Sequence, residues 1–402
     1  MTPVVQERLG DVASFTRGIT FKPNDVVPVG TPSAVWCLRT KNVQAEVDLA
    51  DVWSVDSRFV RRPEQYLEEG DVLISSANSW NLVGKCCWIP QLDKPASFGG
   101  FVTALRGDAS RVSRRYLYRW FTSPHVQETV RSFSRRTTNI ANLDLKRCAD
   151  LAIPLPSLAE QERIAVVLDQ VDVLRARRRE AITLLDELVQ SIFLHTFGDP
   201  AAPDVAWERK PIGALGTVVT GNTPSRTDMS NYGEGIEWVK TDNIDPPDLY
   251  VAAARERLSE HGEKIARVVP AEALLVTCIA GSPASIGRSA MAGRRVAINQ
   301  QINAFIPRDM LPRFALEQLR IGKRLIQAKS TGAMTGLVNK SQFSSIELIV
   351  PPLGMQKGFT ERVEAMDRVR AAHLAYLAGL DELFESVQQR AFAGQLWDHE
   401  AA

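Results

Sequence analysis

The chain lacks the cysteine patterns from which metal centres and disulfide frameworks are predicted. Its five cysteines include no Cys-x-x-Cys pair and no spaced cluster with histidine. They are Cys37, Cys86, Cys87, Cys148 and Cys278. The sequence therefore predicts neither a zinc site nor disulfide bonds, and we expect no metal and no cofactor. We interpret the thiols as buried or incidental side chains.

Long hydrophobic runs are also missing. No apolar run approaches the roughly 20 residues that cross a bilayer, and the opening letters MTPVVQERLGDV lack the apolar stretch of a signal peptide. We therefore expect a cytoplasmic protein without a membrane partner. With 402 residues, of which 45% are hydrophobic, the chain is long enough for two or more globular domains.

Charge of one sign is not in excess. The 48 basic residues against 47 acidic residues give a net charge of +1. This balance argues against a strongly basic protein that binds nucleic acid without regard to sequence. It still allows positive charge to concentrate on one face, because arginines cluster within residues 111–119, 131–136 and 175–179.

Signatures of catalysis are absent as well. No GxxxxGK[ST] nucleotide loop occurs, and the five histidines have no Ser, Cys or Asp partner at a telling spacing. The letters NIDPPDLY at 243–250 resemble the Asp-Pro-Pro motif of amino methyltransferases. Asp248, however, stands where an aromatic residue should stack on a flipped base. The sequence therefore predicts a protein that is not an enzyme by itself.

What the sequence does contain is an internal repeat. A shift of 195 positions brings twelve pairs of identical residues into register, from Pro156 with Pro351 to Phe197 with Phe392. The clearest match is LDEL at 185–188 with LDEL at 380–383. The repeated segment therefore has the same structural task in both halves of the chain.

Each copy predicts one long helix. In the first copy, Ser157 followed by Glu160 forms a capping box, and Gly198 with Pro200 ends the helix. Between them, apolar residues recur at alternating steps of three and four, which is typical of a coiled-coil seam. The predicted seam consists of Ile164, Val167, Val171, Leu174, Ala181, Leu185, Leu188 and Ile192, and of Phe359, Met366, Val369, Tyr376, Leu380, Leu383 and Val387.

One seam position is polar in both copies, as Arg178 and His373. A polar residue inside a seam can fix the register of two helices. The alternative is that both side chains reach water from a frayed part of the seam. A helix of this length measures roughly 60 Å. Antiparallel packing of the two copies would place the intervening domains at opposite ends of the rod, related by a pseudo-two-fold axis, whereas parallel packing would crowd them together.

The regions before the helices show short β-branched runs punctuated by Gly, Pro and Asn, which predicts small strands and turns. They match in outline only: RLGDVASFTRGIT near residue 8 parallels PIGALGTVVTGNT near residue 211, and LRTKNV parallels VKTDNI. The predicted domains are 1–156 and 200–352, with the helices at 157–199 and 353–402. Domains with a shared core and different loops are typical of binding modules with different targets.

Here the residues resemble a known family. LAIPLPSLAEQERIAVVLDQVD, followed by the long helix, resembles the segment after each target-recognition domain of type I restriction-modification specificity subunits. IELIVPPLGMQKGFTERVEAMD is similar to its second copy, and TGNTPSR and IGRSAMAGRRVAINQQINAF are similar to patterns inside such domains. The resemblance covers essentially the whole chain. The departure is at Gly354 and Met355, where only Gln356 of the acidic-Gln motif is present; this concerns the partner contacts of the second helix.

The resemblance implies an α+β fold: two similar mixed α/β target-recognition domains separated by an antiparallel coiled coil of two long conserved helices, with a pseudo-two-fold internal repeat. It also implies that each domain reads one half of a split site in double-stranded DNA. The helices would dock two methyltransferase subunits and, through them, translocase-nuclease subunits. Independently, two half-sites on one face of B-DNA lie roughly 34–36 Å apart, a spacing that a stiff rod can set. The alternative is an adaptor whose two modules bind polypeptides across a coiled-coil spacer, without DNA.

Candidate DNA contacts are polar side chains in loops, because base edges and phosphates are read by hydrogen bonds. In the first domain they are Lys22, Asn24, Asn78, Ser79, Trp80, Asn81, Arg135, Arg136 and Asn139. In the second they are Thr223, Ser225, Arg226, Ser282, Ser285, Arg288, Arg294, Arg295, Lys329 and Lys340. The mid-helix arginines 177–179 face either DNA phosphates or solvent and an acidic partner subunit; both interpretations stay open.

Overall fold

The computed structural model describes residues 5–136, 140–331 and 336–395. The chain forms two compact units. The first comprises Met1–Arg177 with Leu377–Ala402, and the second comprises Arg178–Tyr376. Each unit therefore contains one variable domain together with one half of each long helix.

The first unit is built mainly from short strands. They are β1 (Val5–Arg8), β2 (Ala13–Arg17), β3 (Val26–Val27), β4 (Ala34–Leu38), β5 (Trp53–Asp56), β6 (Val72–Ser75), β7 (Ala77–Asn78), β8 (Cys86–Trp88), β9 (Ala96–Phe98), β10 (Val102–Gly107), β11 (Ser134–Arg136), β12 (Ala141–Leu143) and β13 (Ala152–Leu155). Its sheets have the orders β2-β10-β6-β8, β3-β5-β4-β9, β11-β12-β7 and β1-β13. The helices of this unit before the long helix are α1 (Leu9–Val12), α2 (Arg114–Phe121), α3 (Pro124–Ser132) and α4 (Leu145–Ala149).

The central strand β6 shows why the first domain needs two cores. Its residues, VLIS, are all buried. Successive side chains of a strand point to opposite faces of the sheet. Val72 and Ile74 accordingly belong to one hydrophobic cluster and Leu73 to another. A continuous apolar run thus forms a strand that is covered on both faces.

The chain then continues through the long helix α5 (Leu158–Phe197) into the second unit. The strands of that unit are β14 (Arg209–Pro211), β15 (Gly216–Thr220), β16 (Tyr232–Val239), β17 (Arg257–Leu258), β18 (Arg267–Val269), β19 (Leu274–Thr277), β20 (Ile279–Ala280), β21 (Ser289–Met291), β22 (Val296–Ile298), β23 (Ile302–Pro307), β24 (Gly336–Leu337) and β25 (Glu347–Ile349). The helices are α6 (Ile212–Leu215), α7 (Glu260–Ile265), α8 (Pro312–Ile321), α9 (Lys323–Gln327), α10 (Lys340–Ser344) and the second long helix α11 (Leu353–Phe392).

The second domain repeats the topology of the first. The sheet order β15-β23-β19-β21 corresponds to β2-β10-β6-β8, and β14-β25 corresponds to β1-β13. The remaining sheets have the orders β17-β16-β22-β18 and β20-β24. In β19, Leu275 again faces a different cluster from Leu274 and Val276. The predicted mixed α/β architecture of two similar domains is confirmed.

Both long helices were predicted, and each has 40 residues. At the start of α5, Ser157 Oγ accepts a hydrogen bond from the backbone N–H of Glu160 at 3.4 Å. After its end, Gly198 has a φ of +79°, a left-handed conformation that favours glycine. No helix among the described residues is apolar over enough length to span a bilayer.

The helix halves are antiparallel within the second unit, as predicted. Phe197 lies 5.6 Å from Phe359 between ring centroids, and the Asp186 carboxylate lies 3.1 Å from Arg370 Nε. Residue numbers therefore rise along one helix while they fall along the other. In the first unit, Ile164 and Leu168 of α5 share a hydrophobic cluster with Ala391 of α11.

The predicted seam needs correction. Ile164, Val171 and Phe359 are buried, but five other predicted seam residues are about half exposed. They are Leu174 at 47%, Leu188 at 44%, Val369 at 47%, Tyr376 at 63% and Leu383 at 48% exposure. The coiled-coil spacing assumes that each helix packs only against its partner. Here each helix half also packs against a domain, so the buried stripe runs through Ala165, Leu168, Phe193 and Val363 instead.

Candidate nucleic-acid interface

A buried glutamine joins each long helix to the domain that precedes it. Gln161 and Gln356 are both 1% exposed. Gln161 Oε1 accepts from the Ser113 backbone N–H at 2.8 Å, and Gln356 Oε1 accepts from that of Leu311 at 3.1 Å. Each amide also donates to a proline carbonyl five residues earlier, at 2.9 and 2.8 Å. Gln356 thus makes the contact of Gln161 although its neighbours depart from the family motif.

Polar contacts between the helix halves also occur in duplicate. Arg175 Nε donates to Asp381 at 2.5 Å in the first unit, and Arg370 Nε donates to Asp186 at 3.1 Å in the second. The shift of 195 residues converts one pair into the other. The helix register is therefore specified by the same arginine–aspartate pair in both units.

The two polar seam residues meet each other. Arg178 Nη1 lies 3.1 Å from His373 Nδ1, and the Arg178 guanidinium lies 4.9 Å from the centre of the Tyr376 ring. Both side chains are half-buried. This geometry favours the register interpretation over the frayed one. Arg177 and Arg179 are exposed, so the two alternatives given for the mid-helix arginines stay open.

The first domain holds its predicted DNA contacts in turns. Lys22 and Asn24 are exposed around a short helical turn. Asn78 uses its amide locally, donating to Ser75 Oγ at 3.0 Å and accepting from the Ser79 N–H at 2.8 Å. In the same loop Ser79 and Asn81 are exposed, while Trp80 packs against the core. The Asn78 amide thus holds the loop in shape.

Arg135 is a strongly exposed candidate in that domain. Its side chain is 83% exposed, and its guanidinium donates to Asp144 Oδ2 at 2.9 Å. Asp144 also accepts from two backbone N–H groups at the start of α4. Chiefly because the Arg147 N–H donates to it, the pKa of Asp144 lies below its usual value. Arg136 ends β11, but its side chain and the whole of Asn139 lie outside the described residues.

In the second domain the candidate arginines are paired with carboxylates. The pairs are Arg226 with Glu256, Arg288 with Asp245, Arg294 with Glu237 and Arg295 with Glu263. Their charges are thereby held in place and locally balanced. This surface presents oriented hydrogen-bond donors more than excess positive charge.

The remaining candidates of that domain are hydroxyl and lysine side chains. Ser282, Lys329 and Lys340 are exposed, and Ser285 is half-buried. Thr223 Oγ1 donates to Gln300 Oε1, and Ser225 Oγ lies 2.9 Å from a second hydroxyl, Thr227 Oγ1. Thr223 and Ser225 thus lie in one loop, ordered by side-chain hydrogen bonds.

A small sheet recurs beside these loops and includes residues that the sequence did not single out. In the first domain β7, β12 and β11 pair so that Ala77 lies opposite Asn142, and Asn142 lies opposite Arg135. In the second domain β20 and β24 pair, with Ile279 opposite Leu337. Nearby, the turn FGGF at 98–101 ends in Phe101, which is 64% exposed.

The cysteines agree with the interpretation given from sequence. Four are buried, and Cys86 is half-buried. Burial raises the pKa of Cys37, Cys87, Cys148 and Cys278 to about 12, so these thiols stay protonated at neutral pH. Within residues 5–136, 140–331 and 336–395, no group of His, Cys, Asp and Glu could hold a metal ion.

Comparison with known proteins identifies the family. The profile of the type I restriction modification DNA specificity domain matches residues 3–184 and again residues 204–374. The chain belongs to this family. The specificity subunit of the StySPI type I restriction enzyme from Salmonella potsdam is 24% identical over an aligned length of 417 residues, which covers 96% of this chain and 87% of that one. The EcoKI specificity subunit from Escherichia coli K12 is 23% identical over 416 residues, with the same two coverages.

A solved structure supports the fold. The type I restriction-modification S subunit from M. genitalium matches with a TM-score of 0.56 at 14% identity, covering 98% of this chain and 99% of that chain. The relatives are named as specificity subunits, which are non-catalytic subunits of type I restriction enzymes. They confirm the expectation that this member of the specificity family is not an enzyme by itself.

Proposed function

We propose that the chain is the DNA-specificity subunit of a type I restriction-modification complex, in which each domain reads one half of a bipartite site. The observation that carries this proposal is selective duplication. Two kinds of interior contact occur in both units, whereas the exposed loops differ. They are the hydrogen bonds of Gln161 and Gln356 and the ion pairs of Arg175 and Arg370. Two readers on one scaffold are expected to recognise two unlike half-sites.

The long helices would set the distance between the half-sites and dock two methyltransferase subunits. The half-exposed apolar residues Leu174, Leu188, Val369 and Leu383 support docking, because a helix partner would bury them. Translocase-nuclease subunits would join the complex through the methyltransferases. All of these partners would be met in the cytoplasm.

Mapping of methylated bases tests the proposal. The full chain is assembled with its methyltransferase subunits, and methylated positions are read over a whole genome. We expect one motif with two unlike halves and a fixed gap. Binding to this duplex should weaken steeply with salt, since phosphate contacts release counterions. Methylation without a shared motif, or partners that prove to be polypeptides bound without DNA, would support the adaptor alternative.

The spacing role has its own test. Inserting one heptad into each long helix lengthens the pair by about 10 Å. The gap between half-sites should then grow by about three base pairs, because base pairs rise about 3.4 Å each. The letters of both halves should stay the same. A changed half-site with an unchanged gap contradicts the spacing role.

A shorter chain tests the helix pairing. A fragment that ends at Asp199 keeps α5 but loses α11, so the apolar stripe of α5 lacks its partner. Two copies of the fragment can restore the pair through a symmetric interface. We expect a dimer at micromolar concentration by sedimentation equilibrium. A monomer there would contradict pairing through the repeated helix.

A further inference from the structure

One position in each domain has a backbone carbonyl that is held by two N–H groups of the neighbouring strand. The Phe101 carbonyl accepts hydrogen bonds from the N–H groups of Ser76 and Ala77 at 3.0 and 3.1 Å. In the second domain the Gln301 carbonyl accepts from those of Cys278 and Ile279 at 2.8 and 3.2 Å. Residues 101 and 301 are therefore structural equivalents, although their side chains share no chemistry.

A second pair of equivalents lies beside the first. Ala77 is the cross-strand neighbour of Asn142, and Ile279 is that of Leu337. The next residues along confirm the match, since Leu143 N–H donates to Ser76 and Val338 N–H donates to Cys278, both at 2.8 Å. We call residues 101, 142 and 135 the first recognition edge, and residues 301 and 337 the second.

The side chains of the first recognition edge point outward. Ala141 and Leu143, which flank Asn142 in the strand, are 2% and 7% exposed, so the alternate residue Asn142 faces solvent. Arg135 lies directly opposite Asn142, on the same face of the sheet. Phe101 is 64% exposed, and in the second domain Leu337 is 39% exposed. Phe101 and Leu337 thus lie on the surface, whereas Gln301 is half-buried and its Oε1 accepts a hydrogen bond from Asn299 Nδ2 at 3.0 Å.

The apolar side chain and the amide side chain occupy opposite positions in the two edges. The first has an apolar residue at 101 and an amide at 142; the second has the amide at 301 and the apolar residue at 337. In the major groove an apolar side chain contacts the thymine methyl group, an amide can pair with adenine, and an arginine fork can pair with guanine. The exchange therefore changes which bases the two edges can select.

We infer that the recognition edges are base-reading surfaces, and that Phe101 selects a thymine through its 5-methyl group. This rests on the proposed DNA-specificity function. From residue 101 across β7 and β12 to Arg135 the edge spans about three strand spacings, or roughly 14 Å. That length is close to the width of the major groove, about 12 Å. Asp144 fixes Arg135 at one end, and the paired backbone fixes Phe101 at the other.

The test compares thymine with uracil in the DNA, which differ only by the methyl group. The full chain, assembled with its methyltransferase subunits, is titrated with the duplex found by methylation mapping, and with duplexes carrying uracil at each thymine in turn. At one thymine of the first half-site, uracil should raise the Kd by about fivefold or more. Phe101→Gln should bind the two duplexes equally, and uracil in the second half-site should affect both proteins alike.

A matched control and a reciprocal variant complete the test. Val5 is 61% exposed in the same domain but lies in β1, so Val5→Gln should keep the uracil effect. Gln301→Phe should reduce base selectivity in the second half-site and leave selectivity in the first half-site unchanged. If the wild-type complex shows no sequence preference, the proposed function fails. If it is specific but Phe101→Gln keeps the uracil effect or alters the second half-site, the inference about the edge is wrong.

Discussion

Both units bury an arginine that donates to an aspartate of a long helix, but they surround it differently. In the first, Arg119 is 5% exposed and donates to Asp169 and Asp172 at 2.6 and 2.8 Å. Burial works to lower the pKa of Arg119, but the hydrogen bonds and charges of both aspartates outweigh it and raise the pKa. In the second, Arg313 is 8% exposed and donates to Asp367 at 3.1 Å, while its Nε and Nη1 have no hydrogen-bond partner.

Two replacements in the long helices accompany the difference. The shift of 195 residues matches Asp169 with Glu364, which is exposed, and Phe384 with Val189. Phe384 lies 5.8 Å from the Arg119 guanidinium, whereas Val189 and Arg313 line a cavity of about 510 Å³. The hydrogen bonds by which Gln161 and Gln356 connect the long helices to their domains, which we call the glutamine joint, have not diverged in this way. The contacts of Gln161 and Gln356 are thus the same in both units, while the packing around the arginine differs.

Removing the glutamine joint should cause the largest loss of unfolding free energy. Gln161→Leu leaves the N–H of the half-buried Ser113 without this partner, as Gln356→Leu does for the half-buried Leu311. Because an unsatisfied buried group costs about 1–3 kcal/mol and each glutamine serves two or more groups, we expect each variant to lose about 3 kcal/mol of unfolding free energy. Urea unfolding followed by tryptophan fluorescence measures this loss.

The control for the joint is an exposed glutamine on the same helix. Gln170→Leu should change the unfolding free energy by less than about 0.5 kcal/mol. Equal losses in Gln161→Leu and Gln356→Leu would support a shared joint. A loss in only one of them would show that the duplication is one of sequence and not of energetics.

The repeat made the architecture predictable, but not the buried face. Periodicity identified both long helices, and the polar seam positions Arg178 and His373 meet as the register interpretation required. Leu174 and Leu188 were predicted to be buried in the seam but are about half exposed. The periodicity of one helix does not show that the helix packs against a domain as well as against the other helix. Tertiary packing, which no local pattern encodes, decided which apolar residues are buried.

The recognition edges were hidden from sequence for a related reason. Phe101 and Asn142 are 41 positions apart, and strand pairing through Ala77 brings them together. Residue types in the loops alone led to the prediction that Asn78 contacts DNA, but its amide makes hydrogen bonds within its own turn. Base-reading candidates depend on which side chains are free to point outward, and that follows only from strand register.

An intermediate effect is expected where the packing differs. Phe384→Val removes ring contacts with Arg119 and with Arg175, whose guanidinium lies 4.5 Å from the ring centre. Since Phe384 is only partly buried, we expect a loss of about 1–2 kcal/mol. The reverse change, Val189→Phe, fills the cavity of the second unit and should be neutral or stabilising by up to about 1 kcal/mol. Equal losses in both variants, by urea unfolding, would contradict the comparison.

The smallest effect should come from the carboxylate that only the first unit uses. Asp169→Asn weakens the hydrogen bonds to Arg115 and Arg119. Asp172 is then the remaining aspartate that pairs with the buried Arg119 charge. Because Asp169 is 31% exposed, solvent screens part of this interaction, and we expect a loss of about 1 kcal/mol. The equivalent Glu364→Gln removes a charge that is exposed to solvent and should stay within about 0.5 kcal/mol of wild type. Urea midpoints at neutral pH separate the two, and a larger loss for Glu364→Gln than for Asp169→Asn would show that Arg313 uses a carboxylate from the same place after all.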